Sequence, residues 1–157
     1  MSNLSHRSRI VFRAARGVIA TVLLAVLLCG CSYENDSQVP AIDVDFRFGM
    51  RNDDNETQDF VAVTSNSVII SRARSQLALP DSERSLHISG PIERGSGGHN
   101  LGWSWHFVPD AWTLTGVSAE VCDGGPQGVE DDLDYWVDTL QSFCPWDSYV
   151  KEELSQP

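Results

Sequence analysis

The sequence predicts a small α+β domain, in which an antiparallel sheet of about four to five strands packs against two helices and one disulfide joins two distant segments. Three observations favour this class. Several short segments alternate apolar and polar residues, two longer segments place apolar residues at helical spacing, and two cysteines remain downstream of an export signal. We expect a single domain over residues 44–154, which is long enough for one hydrophobic core.

Residues 1–30 have the composition of a lipoprotein signal peptide. A basic head precedes an apolar run from Val18 to Leu28, and this run is shorter than the roughly 20 residues that a membrane span needs. The run leads into Gly30 and Cys31, an arrangement that resembles a bacterial lipobox with Cys31 as the acylated residue. A cleaved signal peptide without a lipid is the alternative.

Residues 31–43 are predicted to be the acylated N-terminus and a flexible tether, because they are polar and show no periodicity. Removal of the signal peptide takes away four of the 11 basic residues, so that 7 basic residues face 22 acidic ones and the formal charge becomes −15. This charge argues against nucleic acid as a partner. We therefore expect a monomer of the bacterial cell envelope, exported and held at the outer membrane or the cell surface by its lipid.

Two cysteines, Cys122 and Cys144, remain once Cys29 leaves with the signal peptide and Cys31 is acylated. In an oxidising compartment this pair predicts a disulfide. The loop of roughly twenty residues that it closes contributes about 3 kcal/mol. A zinc site is disfavoured because the remaining histidines do not lie at ligand spacing from a cysteine. We expect neither a metal nor a cofactor.

The first predicted elements are the two strands of a hairpin. The segment VDFRFGM alternates from Val44 and places Phe46 and Phe48 on one face, and FVAV at residues 60–63 resumes an extended apolar run. Residues 51–59 between them are polar and suggest a solvated turn. Their acidic side chains also admit a calcium site, which the absence of the calcium-loop glycine disfavours.

A helix is predicted next, over SNSVIISRARSQLALP. Ser65 or Asn66 is the expected N-cap, apolar residues recur at helical spacing, and Pro80 ends the helix. The segment SLHISGPIER that follows alternates as a strand. Because proline cannot donate to a ladder, Pro91 places this strand at a sheet edge or at a bulge.

The segments WSWHFV and TLTGVSAEVC predict a second hairpin, which reverses about Asp110 and Ala111. This register pairs His106 with Thr115 and leaves Trp112 exposed at the tip of the turn. Exposed aromatic side chains commonly anchor partners, so Trp112 is the best candidate for a binding anchor.

A second helix is predicted from Pro126, because apolar residues from Val129 to Leu140 form one stripe. The other positions carry the acidic residues Glu130, Asp131, Asp134 and Asp138. A solvated acidic face is the main interpretation, and a docking face for a basic partner and a cation site are the alternatives. The C-terminal segment SFCPWDSYVKEEL is expected to be extended and to bring Lys151 near the acidic face.

Four motifs in the second half of the chain carry a family resemblance. They are WSWH at 103–106, EVCD at 120–123, VEDDLD at 129–134 and CPW at 144–146. Together they are similar to the small exported domain found at the N-terminus of a slime-mould calmodulin-binding protein and as a stand-alone secreted domain. The likeness runs from about Phe60 to Glu153, and the chain departs from the family at GSGGHNLG and at YWVDTLQSF. The resemblance implies a compact module with a disulfide and carries over no catalytic residues.

The sequence contains no nucleophile-elbow motif, phosphate-binding loop or zinc-protease helix. The main prediction is therefore a binding domain of unknown ligand, in the manner of a small inhibitor, with a basic protein of the envelope as its expected partner. Its candidate surface consists of Trp112, His106 and the four acidic residues of the second helix. The alternative is an envelope hydrolase with an acid-base set of His106, Asp110, Glu120 and Asp123.

Overall fold

Residues 42–51, 53 and 55–154 are described by a computed structural model of the chain. The predicted signal peptide, Cys31 and the tether up to residue 41 lie outside these residues. The strands are β1 (Val44–Met50), β2 (Phe60–Thr64), β3 (His87–Ser89), β4 (Ile92–Arg94), β5 (Trp105–Phe107), β6 (Thr113–Thr115) and β7 (Ser148–Leu154). The helices are α1 (Ser67–Leu77), α2 (Pro126–Asp131) and a π-helix (Asp134–Leu140), with short 3-10 turns at Asp81–Glu83 and Glu120–Cys122.

The strands pair antiparallel in three sheets, in the orders β2–β1–β7, β3–β6 and β4–β5. Antiparallel strands, helices and one disulfide in a small domain confirm the predicted fold class in its coarse form. The prediction of a single sheet of about four to five strands is not confirmed, because the strands of the described residues are divided among these sheets.

The first hairpin is confirmed by β1 and β2, which pair from Val44 opposite Thr64 to Phe48 opposite Phe60. Phe46 and Phe48 are fully buried, as the alternation predicts. β7 pairs with the other side of β1, so the C-terminal segment is extended as expected and β1 becomes the middle strand of its sheet.

Both outer edges of the β2–β1–β7 sheet are partly covered by side chains. On β2, the N–H of Val61 donates to Asn100 Oδ1 at 2.9 Å, and the carbonyl of Val63 accepts from Trp112 Nε1 at 2.8 Å. On β7, Arg84 donates to two successive carbonyl groups at 3.1 and 3.2 Å. Backbone groups that an edge strand would otherwise present to solvent are therefore occupied.

The core is mostly aromatic, and Phe60 lies near its centre. Its ring lies 5.4 Å from Phe48, 5.6 Å from Trp105, 5.7 Å from Phe107 and 6.3 Å from Phe143, measured between centroids. These five side chains are at most 1% exposed. The cluster joins the β2–β1–β7 sheet to the β4–β5 sheet and to the segment before β7.

The predicted strand over SLHISGPIER is divided into β3 and β4, which pair with different partners. Between them the backbone of Gly90 pairs with Phe143, and Pro91 has no N–H to give. A Cβ atom on Gly90 would lie 2.6 Å from the Cα of Trp112, so only glycine allows the two backbones to pass this closely.

The predicted second hairpin is wrong. β5 and β6 do not pair with each other, since β5 pairs with β4 and β6 pairs with β3. His106 consequently lies opposite Glu93, and Thr115 lies opposite His87.

Residues 109–112 form a clamp on β2 and the start of α1, and we call them the 109–112 clamp. The carboxylate of Asp110 accepts four hydrogen bonds of 2.7 to 3.1 Å from the backbone and side chains of residues 64–66. Trp112 is only 1% exposed, and the prediction of an exposed anchor is wrong. Its indole N–H bonds to the carbonyl of Val63, because the turn folds inward onto β2 instead of projecting from a hairpin.

The first helix is confirmed as α1. The side chain of Asn66 accepts from the N–H groups of Val68 and Ile69 as the predicted N-cap, and α1 ends before Pro80. Ala73 and Ile69 bury the inner face.

The second helix is confirmed only in its first part. α2 begins at Pro126 as predicted, but Asp132 leaves the helical conformation with φ −142° and ψ 67°. Its carboxylate accepts the N–H of Tyr135 at 3.1 Å, a local bond that competes with the helix ladder, and the π-helix follows. Val129 and Val137 are still buried, so the apolar stripe continues across the interruption.

The predicted disulfide is confirmed between Cys122 and Cys144, whose Cα atoms lie 5.1 Å apart. The N–H of Cys144 also donates to the carbonyl of Cys122 at 2.7 Å. The bond joins the second 3-10 turn to the chain before β7. In the part of the chain that the structure describes, no helix has the length and apolar composition to cross a membrane.

Candidate functional site

The four residues of the predicted acid-base set have separate surroundings. Asp110 belongs to the 109–112 clamp, and Asp123 accepts the backbone N–H of Trp146 at 2.9 Å. His106 is buried in β5, while Glu120 is exposed in the second 3-10 turn. Among the described residues, no hydrogen bond or ion pair joins any two of the four.

His106 lies instead in a histidine pair over the glycine loop 95–98. Its Nδ1–H donates to the carbonyl of Gly95 at 2.8 Å, and its ring meets that of His99 edge to face at 5.4 Å. Burial first, and then the neighbouring His106, lower the pKa of His99. Gly97 has φ +62° and sits against both rings, where a Cβ atom would come within 2.5 Å of His106.

The predicted acidic surface is largely engaged within the molecule. Arg94 of β4 binds the carboxylates of Asp134 and Asp138, and Arg94 lowers the pKa of Asp138. Glu130 accepts the backbone N–H of Ser104 at 2.8 Å, and Asp131 accepts from the side chain of Gln127 at 2.8 Å. Lys151, which was expected near this face, forms its ion pairs with Glu56 and Asp59 in the turn after β1.

A different site is formed where β3, the chain after β6 and the chain after the disulfide meet. A pocket of about 300 Å³ lies there, and we call it the Trp146 pocket. It is lined by Ser85, His87, Gly116, Val117, Ser118 and Trp146.

A hydrogen-bond chain organises the floor of the Trp146 pocket. The Nε2 atom of His87 lies 2.7 Å from Ser118 Oγ, and the indole N–H of Trp146 donates to the same oxygen at 2.7 Å. The backbone N–H of Trp146 donates to Asp123 Oδ1, which fixes the other end of the residue. Both ends of Trp146 are therefore held, although its side chain is 44% exposed.

His87 has a perturbed protonation equilibrium. Its side chain is buried, and burial lowers the pKa of the imidazole, while the charge of Asp123 acts in the opposite direction. Burial is the larger cause. His87 is therefore neutral at pH 7, because burial penalises the charged imidazolium.

Apolar side chains lie at the pocket. Val117 and Trp146 both line it. Val117 is 85% exposed and Trp146 44% exposed. We call Val117 and Trp146 the apolar rim. Exposed apolar groups beside a polar-floored pocket are typical of a binding site.

Little in the sequence points to this site. Ser118 and His87 are 31 positions apart, and His87 alternates as the polar residue of a short strand. Trp146 is separated from Cys144 by one proline, so the disulfide is what brings this part of the chain near residue 122. No group of three or more His, Cys, Asp or Glu side chains able to hold a metal ion occurs among the residues described here.

Comparison with known proteins gives one family. A family model for the N-terminal domain of a calmodulin-binding protein of slime mould matches residues 45–157. No curated protein and no solved structure matches the chain.

Proposed function

We propose that the chain, which belongs to the family of this N-terminal domain, is an exported lipoprotein. Its acyl group at Cys31 holds a small disulfide-bonded binding domain at the bacterial envelope. The basic head, the short apolar run and the Gly30-Cys31 junction support the lipid anchor. The family supports the compact domain. The calmodulin binding of the slime-mould protein is not transferred to this chain.

The apolar rim carries the binding proposal. Two exposed apolar side chains that line a pocket of about 300 Å³ offer a partner both an aromatic anchor and a cavity for an inserted side chain. Trp146 loses little rotamer freedom on binding, because both of its N–H groups are already held. The rim thus takes the role that the sequence assigned to Trp112.

The partner that fits this surface is a basic protein of the envelope, bound in the manner of a small inhibitor. The chain without its signal peptide has a formal charge of −15, because 7 basic residues face 22 acidic ones. Such a field accelerates the approach of basic proteins and repels acidic ones. Binding should then show an on-rate that falls as salt increases.

Binding is tested with the full-length tagged protein and a basic envelope protein that it captures. The variants Trp146→Ala and Val117→Ser should each weaken binding of the purified partner by at least about fivefold, since truncation of an anchor costs more than about 1 kcal/mol. Leu101→Ser is the matched control, because Leu101 is 79% exposed and is not part of the apolar rim. Equal affinity of all variants, or an association rate that does not change with salt concentration, would contradict the proposal.

The anchor is tested separately by incorporation of labelled palmitate. Wild type should be labelled and Cys31→Ser should not. Label that persists in Cys31→Ser would exclude Cys31 as the acylated residue, and an unlabelled wild type would exclude the lipid.

A further inference from the structure

Ser118 Oγ has two hydrogen-bond partners at the Trp146 pocket. An indole N–H can only donate, so Ser118 Oγ accepts from Trp146 at 2.7 Å. Its second partner among the described residues is Nε2 of His87, also at 2.7 Å. In the His87 tautomer that carries its proton on Nδ1, the Ser118 hydroxyl donates to the Nε2 lone pair, and this is the tautomer that the proposal below uses.

His87 has the state that a general base needs. It is neutral at pH 7, and its Nε2 lone pair lies within hydrogen-bond distance of the proton it would remove. Asp123 is the charged group whose field reaches the imidazole, and its negative charge favours the imidazolium that would form. A nucleophile and a base thus occur at one pocket, and the carboxylate of Asp123, which accepts the backbone N–H of Trp146, acts on the imidazole through its charge.

We propose that Ser118 is a nucleophile for acyl transfer, with His87 as its general base and a small neutral ester as the substrate of the Trp146 pocket. This activity goes beyond the proposed binding of a basic protein and does not depend on it. None of the residues in the predicted acid-base set other than Asp123 takes part.

The reaction balances with water as the only other reactant. Ser118 Oγ bonds to the carbonyl carbon of the ester while its proton passes to His87 Nε2. The bond between that carbon and the leaving oxygen then breaks, and the leaving alkoxide takes the proton. In the second half, water attacks the acyl group on Ser118, His87 accepts the water proton and returns it to Ser118 Oγ, and the carboxylic acid is released.

The indole N–H of Trp146 is the candidate donor to the developing oxyanion. It already lies 2.7 Å from the attacking oxygen. Once Ser118 Oγ becomes an ester oxygen it accepts hydrogen bonds poorly, which frees the indole N–H for the neighbouring carbonyl oxygen. The pocket volume of about 300 Å³ admits a short acyl group, and the acidic charge of the protein disfavours anionic esters.

The test uses the full chain with a fluorophosphonate probe, which phosphonylates activated serines with loss of fluoride, and with p-nitrophenyl acetate. We expect the probe on Ser118 by peptide mass spectrometry and none in Ser118→Ala. His87→Gln should slow labelling and ester turnover by at least about 100-fold, the usual contribution of a general base. In wild type the rate should fall in acid as His87 is protonated.

Ser75→Ala is the matched control, since Ser75 is an exposed serine whose hydroxyl donates to the carbonyl of Ser71 in α1. The Ser75→Ala variant should react with the fluorophosphonate probe as fast as wild type. Circular dichroism and melting curves establish that each variant is folded. A folded wild type that is not labelled, or a folded His87→Gln that is labelled at the wild-type rate, would overturn the proposal. Because the assay contains no partner, either result leaves the binding experiment unaffected.

Discussion

Substitution of Asp110 tests whether the 109–112 clamp stabilises the junction between β2 and α1. The carboxylate accepts four hydrogen bonds, from Thr64 Oγ1, Ser65 N, Ser65 Oγ and Asn66 N. Asp110 is exposed, so each bond is credited with the lower end of its usual net contribution, about 0.5 kcal/mol. Asp110→Ala should therefore lower the free energy of unfolding by about 2 kcal/mol, or the melting temperature by roughly 8 °C.

The backbone conformation of Asp110 allows the contribution of its side-chain hydrogen bonds to be separated from that of backbone strain. Its φ is 62°, a left-handed conformation that glycine adopts freely, asparagine tolerates and alanine resists. Asp110→Asn keeps an acceptor oxygen and should lose about half of the effect, while Asp110→Gly loses every side-chain bond and avoids the strain. The expected order of stability is wild type, Asn, Gly and then Ala.

The pH dependence gives an independent check. The hydrogen bond from Thr64 is the main cause that lowers the pKa of Asp110, and bonds from Ser65 and Asn66 add to it. A carboxyl whose pKa is lower in the folded state stabilises the fold above its unfolded pKa of about 3.9, and this contribution is lost as the pH falls through the folded value. The difference in melting temperature between wild type and Asp110→Asn should thus shrink between pH 5 and pH 2. Identical melting curves at pH 7, or a difference that stays constant into acid, would refute the reasoning.

Two further predictions concern stability. Replacing both Cys122 and Cys144 by serine should lower the free energy of unfolding by about 3 kcal/mol in urea titrations, whereas a loss below about 1 kcal/mol would mean that the disulfide adds little to the fold. Gly97→Ala should cost about 3 kcal/mol, because its Cβ atom would meet the ring of His106 at 2.5 Å in a left-handed conformation. Gly98 has φ +81° and open space at the position of a Cβ atom, so Gly98→Ala should lower the free energy of unfolding by only about 1 kcal/mol. Equal losses of stability at the two glycines would contradict the steric argument.

Local signals in the sequence were sufficient for the elements that depend on near neighbours. The alternation from Val44 predicted the first hairpin, and Asn66 and Pro80 predicted the bounds of α1. The disulfide followed from counting thiols, which needs no three-dimensional information.

The long-range partners could not be predicted in the same way. Alternation in β5 and β6 is compatible with a hairpin, and nothing in it reveals that Asp110 and Trp112 bind β2 and draw the turn inward. The Trp146 pocket depends on a hydrogen bond between His87 and Ser118, whose separation of 31 positions leaves no periodic signal. The inward turn and the Trp146 pocket both depend on side-chain hydrogen bonds between distant segments, which cannot be predicted from the pattern of a single sequence.

The partly covered edges of the β2–β1–β7 sheet limit the ways in which copies of the protein can pair. The proposed lipid anchor would concentrate the protein in two dimensions, where neighbouring copies meet in similar orientations. Open strands under those conditions would add to one another and polymerise. Asn100 and Trp112 on β2 and Arg84 on β7 occupy backbone groups of both outer strands, so this sheet resists extension by a neighbouring copy.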